Sequence, residues 1–302
     1  AMLFLNRRGY ASYVMCRMCG YVAKCERCDV SLVYHREEDR LKCHYCGNMY
    51  APLTECPVCG SKFIKEGYIG TEKVADKLRE MFPSATVLRM DNDSTRTKGA
   101  HARILGEFGA KKADILVGTQ MIAKGHDFPD VTLVGILDAD MSLHVADYRS
   151  VERTFQLTTQ VAGRAGRANL LGKVILQTYT PNHYVYNYVR SGDYKGFYEK
   201  EINLREVTKY PPFSKIVRVL VSGTDDEKAS GVLKNIYGRV KAVKDAQPDK
   251  FIYLAYMRAP VKKIMDEYRM QILARLVPDS DDVEDLIYTA TDECRAAGIT
   301  SY

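Results

Sequence analysis

The stretch 113–140, "ADILVGTQMIAKGHDFPDVTLVGILDAD", holds two short apolar runs, "DILVG" and "TLVGIL", each followed by polar residues. Continuous apolar runs of this length, separated by a loop and flanked by helix-like segments, read as parallel strands buried on both faces. The flanking sequence repeats the alternation. Thr71 is a plausible N-cap in "GTEKVADKLREMF", with Val74, Leu78 and Met81/Phe82 at helical spacing. "ATVLRMD" reads as a strand and "KGAHARILGEF" as a helix. A helix over 148–165 precedes a strand in "GKVILQTY", and "LFLN" near the start adds one more strand to the sheet.

Ligands of such sheets sit beyond the carboxyl ends of the strands. Thr119 and Gln120 fall there, as do Lys124, Gly125 and Asp127 in the next loop and Asp138 and Asp140 after the following strand. An apolar strand ending in acids imitates a magnesium-binding strand. However, no GxxxxGK[ST] phosphate loop occurs in the chain, so a nucleotide site here is half a site. The segment "QVAGRAGR" (160–167) supplies cations to that half. Continued as a helix, it places Arg164 at about 40° and Arg167 at about −20° from Gln160, one narrow stripe. Two planar guanidiniums on one stripe suit phosphate oxygens.

Eight of the nine cysteines lie between 16 and 59 in four CxxC pairs: Cys16/Cys19, Cys25/Cys28, Cys43/Cys46 and Cys56/Cys59. Two such pairs close one tetrahedral four-sulfur site, so the spacing predicts two structural zinc ions, each closed to catalysis. Gly20, Gly47 and Gly60 follow three of the pairs and permit tight turns. Only five residues separate the first two pairs, which disfavours closing them on one ion. "VSLVYHREEDRLKCHYC" reads as a hairpin that brings Cys25/Cys28 onto Cys43/Cys46 and leaves Cys16/Cys19 to Cys56/Cys59. His35 and His44 are then superfluous as ligands, and Cys294 reads as an ordinary buried thiol. A disulfide framework would suit a small secreted domain, and the N-terminus has no secretory pattern.

The 302 residues allow roughly two domains and a small module. The formal charge of +6 falls to about +2 once eight thiolates and two divalent ions are counted, so net charge says little about nucleic acid. No apolar run approaches the length of a membrane helix. Ala1-Met2 reads as the start of an excised piece of a longer protein. Past the Pro pair of "KYPPFSK" (209–215) the pattern is strand 215–222, helix 226–243, strands 250–256 and 268–277, helix 280–297. This is a split βαβ unit without its last strand. In it Lys262, Lys263 and Arg269 surround Tyr268, a combination suited to gripping DNA backbone and stacking a base.

In that order, "GTEKVADKL", 115–140 and "QVAGRAGR" resemble the second motor lobe of superfamily-two helicases. The cysteine module and "LFLNRRGYA" narrow the resemblance to the C-terminal part of the replication-restart helicase family, over about residues 3–298. The resemblance implies an α/β fold: a RecA-like lobe (1–14 and 67–208), an inserted zinc module (15–66) and an α+β C-terminal domain (209–302). It implies an ATP-dependent 3′-5′ DNA helicase whose Walker lobe lies elsewhere, so that this piece alone hydrolyses no ATP. Arg164, Arg167 and Gln160 match the residues that reach the γ-phosphate, and Gly125 and Asp127 the nucleotide side. Thr119, Gln120 and Lys124 match positions near DNA. Arg7 and Arg8 match a basic turn without an assigned ligand. ATP and Mg2+ would be cofactors of the whole protein. Its partners would be forked and single-stranded DNA, single-stranded DNA-binding protein and primosome or helicase-loading proteins, in the bacterial cytoplasm at the nucleoid. The alternative is a non-enzymatic zinc scaffold for forks and proteins.

Overall fold

The computed structural model describes residues 1–5, 14–35, 38–66, 70–123, 128–143, 145, 147–166 and 171–296. Its elements in chain order begin with β1 (Met2–Leu5), β2 (Val14–Cys16), β3 (Val33–His35), β4 (Arg40–Lys42), β5 (Met49–Tyr50) and β6 (Ile64–Glu66). Then come α1 (Thr71–Met81), β7 (Val87–Met90), α2 (Ala100–Gly109), β8 (Ile115–Gly118), α3 (Gln120–Ala123), β9 (Leu133–Leu137), α4 (Ser150–Ala162) and β10 (Lys173–Leu176). The last elements are α5 (Tyr184–Ser191), α6 (Tyr194–Thr208), β11 (Lys215–Gly223), α7 (Asp226–Ala246), β12 (Phe251–Ile264), β13 (Glu267–Leu276) and α8 (Asp281–Ala296). The chain divides into two compact units, one of Ala1–Ala11 with Tyr68–Glu201, the other of Ser12–Gly67 with Ile202–Tyr302. The cysteine module is inserted after the first strand in sequence, but it groups with the C-terminal residues in space. This differs from the three-part division expected from the sequence.

The first unit is a parallel sheet in the order β10-β9-β1-β8-β7. Strand β1 pairs with β8 on one side and β9 on the other, as its apolar "MLFL" requires. Alternation divides the two faces. Phe4 joins Met90, Leu116 and Ile136 under Ile104 of α2, Ile122 of α3 and Phe155 of α4. Leu5, Val87 and Val117 face Ala75 of α1 on the other side. Full burial of one such large apolar side chain contributes about 2–3 kcal/mol. Helices on both faces of a parallel sheet make this the α/β RecA-like lobe expected from the sequence.

Helix α4 stops at Ala162, three residues short of the expected end. The Gly163 amide caps it on the Thr159 carbonyl, and Gly166 turns at φ +71°, a conformation that only glycine adopts cheaply. The Gly166 amide then donates to the Val131 carbonyl at 3.0 Å. Helices α5 and α6 lie in a tyrosine-rich stretch that the sequence reading passed over. Their signals were Val185 and Val189 at helical spacing and a stop at Gly192, φ +68°.

In the second unit β11-β13-β12 form an antiparallel sheet. Val219, Val221, Met270, Ile272, Ala274 and Leu276 alternate onto one face. They pack there against Leu233, Ile236 and Val240 of α7 and Val283 and Ile287 of α8. The β-α-β-β-α order is as expected, and Cys294 is buried in this core. Strand β12 is longer than expected, running to Ile264 with a register shift between Arg258 and Lys263. Lys262 and Lys263 therefore stand on a hairpin strand rather than between strands, and Tyr268 and Arg269 stand on its partner strand, as expected. In the cysteine segment β2 pairs with β6, and β3-β4-β5 form a second small sheet that includes the expected hairpin. No helix among the described residues is long and apolar enough to cross a membrane.

Candidate functional site

The cysteines gather in the nested arrangement. Cys16, Cys19, Cys56 and Cys59 form an outer cluster and Cys25, Cys28, Cys43 and Cys46 an inner one. Within each, the ligand atoms all lie within 4.8 Å of one another. Four sulfurs held about 2.3 Å from one tetrahedral ion stand about 3.8 Å apart. The observed Cys16–Cys59, Cys19–Cys56 and Cys25–Cys46 separations are each 3.6 Å, so the donor set fits zinc in both clusters. Both are structural sites, since four thiolates leave no open position. His35 and His44 take no part. They are neighbours of each other, Nε2 to Nε2 at 3.3 Å.

The clusters differ in their surroundings. Cys19 and Cys59 of the outer cluster are exposed, whereas three inner cysteines are buried and Cys46 is half-buried. The Tyr50 hydroxyl lies 3.2 Å from Cys25 Sγ and also accepts the Glu26 amide. The Met265 amide donates to Cys28 Sγ at 3.2 Å, bringing the β12–β13 hairpin tip to the inner cluster. The outer cluster has the local Val58 amide on Cys56 Sγ at 3.4 Å. Sequence reasoning did not anticipate the docked hairpin.

The second group of candidate residues lines the carboxyl edge of the parallel sheet. Thr119 follows β8 and is buried, its amide on the Met90 carbonyl at the end of β7. Gln120 opens α3. Gly118 permits this crossing, because a β-carbon there would lie 2.5 Å from Ile122 Cγ2 and 2.6 Å from the Met90 carbonyl oxygen. Arg164 is half-buried, and its Nη2 donates to the Ala123 carbonyl at 2.6 Å, tying the end of α4 to the end of α3. Gln160 is exposed on the last turn of α4. The helix ends between Gln160 and Arg164, so the expected helical stripe does not continue from Gln160 to Arg164. Arg167, Lys124, Gly125, Asp127, Arg7 and Arg8 lie outside the described residues.

Asp140 is a structural carboxylate rather than an open metal ligand. It is 2% exposed and accepts from the Thr178 and Thr180 hydroxyls, the Tyr179 amide and the Tyr186 hydroxyl. Burial opposes its charge, but these hydrogen bonds outweigh burial and hold its carboxyl below the ordinary range. Lys263 and Arg269 serve the hairpin. The Lys263 ammonium lies 3.2 Å from the Glu26 carbonyl, 3.3 Å from Asp266 and 5.4 Å from the Tyr268 ring centre. Arg269 Nη1 donates to the Val261 carbonyl at 3.4 Å. Lys262 is exposed.

Residues 25–48 match the cysteine-rich region domain of the PriA DNA helicase, residues 66–169 the helicase conserved C-terminal domain, and residues 206–297 the primosomal protein N C-terminal domain. The replication restart protein PriA of Bacillus subtilis (strain 168) is 49% identical over 275 residues, which are 91% of this chain and 34% of that protein. That of a Synechocystis species is 42% identical over 91% of this chain and 33% of its own length. That of Treponema pallidum (strain Nichols) is 39% identical over 99% of this chain and 45% of its own. The chain thus spans between about a third and under half of the relatives it matches. Three domain matches in order along the chain, together with relatives up to 49% identical over 91% of it, place the chain in the primosomal protein N′ family, as a C-terminal part of it.

Proposed function

We propose that the whole protein is an ATP-dependent 3′-5′ DNA helicase that recognises and remodels stalled replication forks and restarts replication by primosome assembly. This chain contributes the second helicase lobe, the zinc sites and the C-terminal domain, and on its own hydrolyses no ATP. The observation that carries the reading is the seat of Arg164 at the carboxyl edge of the sheet. The lobe around it has no phosphate-cradling loop of its own.

Arg164 and Arg167 fit a phosphate, because a guanidinium offers several in-plane donors and stays charged. Gln160, on the last turn of α4, would assist them, and Gly125 and Asp127 would line the nucleotide side. ATP with Mg2+ supplies a phosphoanhydride whose breakage drives motion, and would be bound chiefly by the other lobe. An arginine presented across a cleft stabilises developing phosphate charge by roughly 10³–10⁵ in rate. Thr119, Gln120 and Lys124 would meet the DNA backbone, with exposed Lys262 adding a phosphate contact. Lys263, Tyr268 and Arg269 contribute to that surface chiefly by shaping the hairpin. The partners in this reading are forked and single-stranded DNA, single-stranded DNA-binding protein and helicase-loading proteins, at the nucleoid in the bacterial cytoplasm.

Binding of this chain to labelled forked DNA, single strands and blunt duplex at one salt concentration tests the reading, since phosphate contacts make all three affinities salt-dependent. The expected result is tightest binding to forks. Equal, weak binding to all three would remove fork recognition from these residues.

A further inference from the structure

Three of the four cysteine knuckles close on themselves. Gly20, Gly47 and Gly60 turn at φ +76°, +77° and +68°. Each donates its amide to the carbonyl of the first cysteine of its knuckle at 2.9–3.0 Å. The fourth knuckle, Cys25–Cys28, has Asp29 where the others have glycine. Its Asp29 amide points elsewhere, to the carbonyl of Lys263 at 2.8 Å.

That carbonyl belongs to the tip of the β12–β13 hairpin. The tip is the two-residue turn Met265-Asp266, both at positive φ (+50° and +68°), the form that matches the twist of paired strands. The turn and the knuckle interlock residue by residue. The Asp266 amide donates to the Arg27 carbonyl at 2.8 Å, and the Arg27 guanidinium pairs with the Asp266 carboxylate. The Met265 amide meets Cys28 Sγ, and Ile264 packs into the apolar cluster of Ala23, Leu32 and Leu41.

We propose that this hairpin tip is the outer shell of the inner zinc site. The Met265 amide positions and partly neutralises the Cys28 thiolate, so the inner ion and the seating of the C-terminal sheet stabilise each other. The outer ion, at exposed Cys19 and Cys59, exchanges independently. Hydrogen bonds to a ligating group orient it and raise metal retention. Coupling of this kind is reciprocal, so a partner that shifts the hairpin also shifts hold on the inner ion. Met265 and Asp266 are thus positioning residues for the metal, although 237 residues separate Met265 from Cys28.

The test uses the whole 302-residue chain loaded with zinc, a chromogenic chelator, and pulsed alkylation read by mass spectrometry. Cys16, Cys19, Cys56 and Cys59 become reactive first, and Cys25, Cys28, Cys43 and Cys46 in a separate, slower phase. Arg27→Ala and Asp266→Ala each speed the slow phase by about tenfold and leave the fast phase unchanged. With cadmium in place of zinc, the Met265 amide proton shows scalar coupling to the inner ion, and Asp266→Ala weakens that coupling. Release of all eight cysteines in one phase overturns the proposal, as does an unchanged slow phase in both variants or equal acceleration of both phases.

Discussion

The amide of Met265 lies 3.2 Å from the sulfur of Cys28 and donates to it, joining the C-terminal hairpin to the second cysteine knuckle. Strand β12 extends past the end expected from its sequence pattern because its far end has a partner. The bonds at Lys263, Met265 and Asp266 compensate for ordering a two-residue turn at positive φ. The module and the C-terminal sheet are accordingly one compact unit.

Removing the metal should therefore be felt beyond the cysteines. Structural zinc contributes on the order of 10–16 kcal/mol to local folding. With both ions chelated, hydrogen exchange should show the amides of Asp29, Met265 and Asp266 losing protection, while those of α7 in the buried C-terminal core keep theirs. Full protection of Met265 without metal would show that the tip seats independently of the ion.

The parallel sheet was legible because its strands are apolar and its helices periodic, from "MLFL" to "KVIL". The cysteine pairing was legible because CxxC spacing and a short spacer leave few geometries. The end of α4 was not, because periodicity alone does not register that Gly163 and Gly166 break the helix and fold the chain back to Val131. The seating of 262–269 on the inner cysteine cluster was not legible for a different reason. A Lys-Lys-Tyr-Arg cluster looks the same whether it faces phosphate or a knuckle's carbonyls, and only the long-range contact distinguishes them. One local signal did exist, the absence of glycine after Cys28, where Asp29 stands.

Two glycine substitutions in the lobe should have opposite signs. Gly118→Ala forces a β-carbon to 2.6 Å from the Met90 carbonyl, a clash that no rotamer relieves. It should lower stability by about 2–3 kcal/mol in urea unfolding and displace Thr119. Gly106→Ala, in α2 with nothing within 4 Å, should raise stability by about 0.5–1 kcal/mol. Equal effects from both would show that the β8–α3 crossing is not tight.

Asp140→Asn replaces an acceptor-only group among four donors with one that must itself donate. The expected loss is about 3 kcal/mol, read by thermal or urea unfolding. The wild-type carboxyl has a folded pKa below its unfolded one. Its stabilisation is therefore complete above the ordinary carboxyl range and is lost as pH falls through the depressed value. The gap between wild type and Asp140→Asn should be full at pH 7 and narrow in acid. A gap independent of pH would show that charge at Asp140 does not matter.

ATP turnover by the whole protein tests the central claim most directly, measured for the wild type, Arg164→Ala and Arg167→Ala, with zinc content and fork binding measured alongside. The account predicts that both variants keep two zinc ions and fork binding but lose turnover by roughly 10³-fold or more. Normal turnover in either variant would contradict the assignment of that arginine to the phosphate.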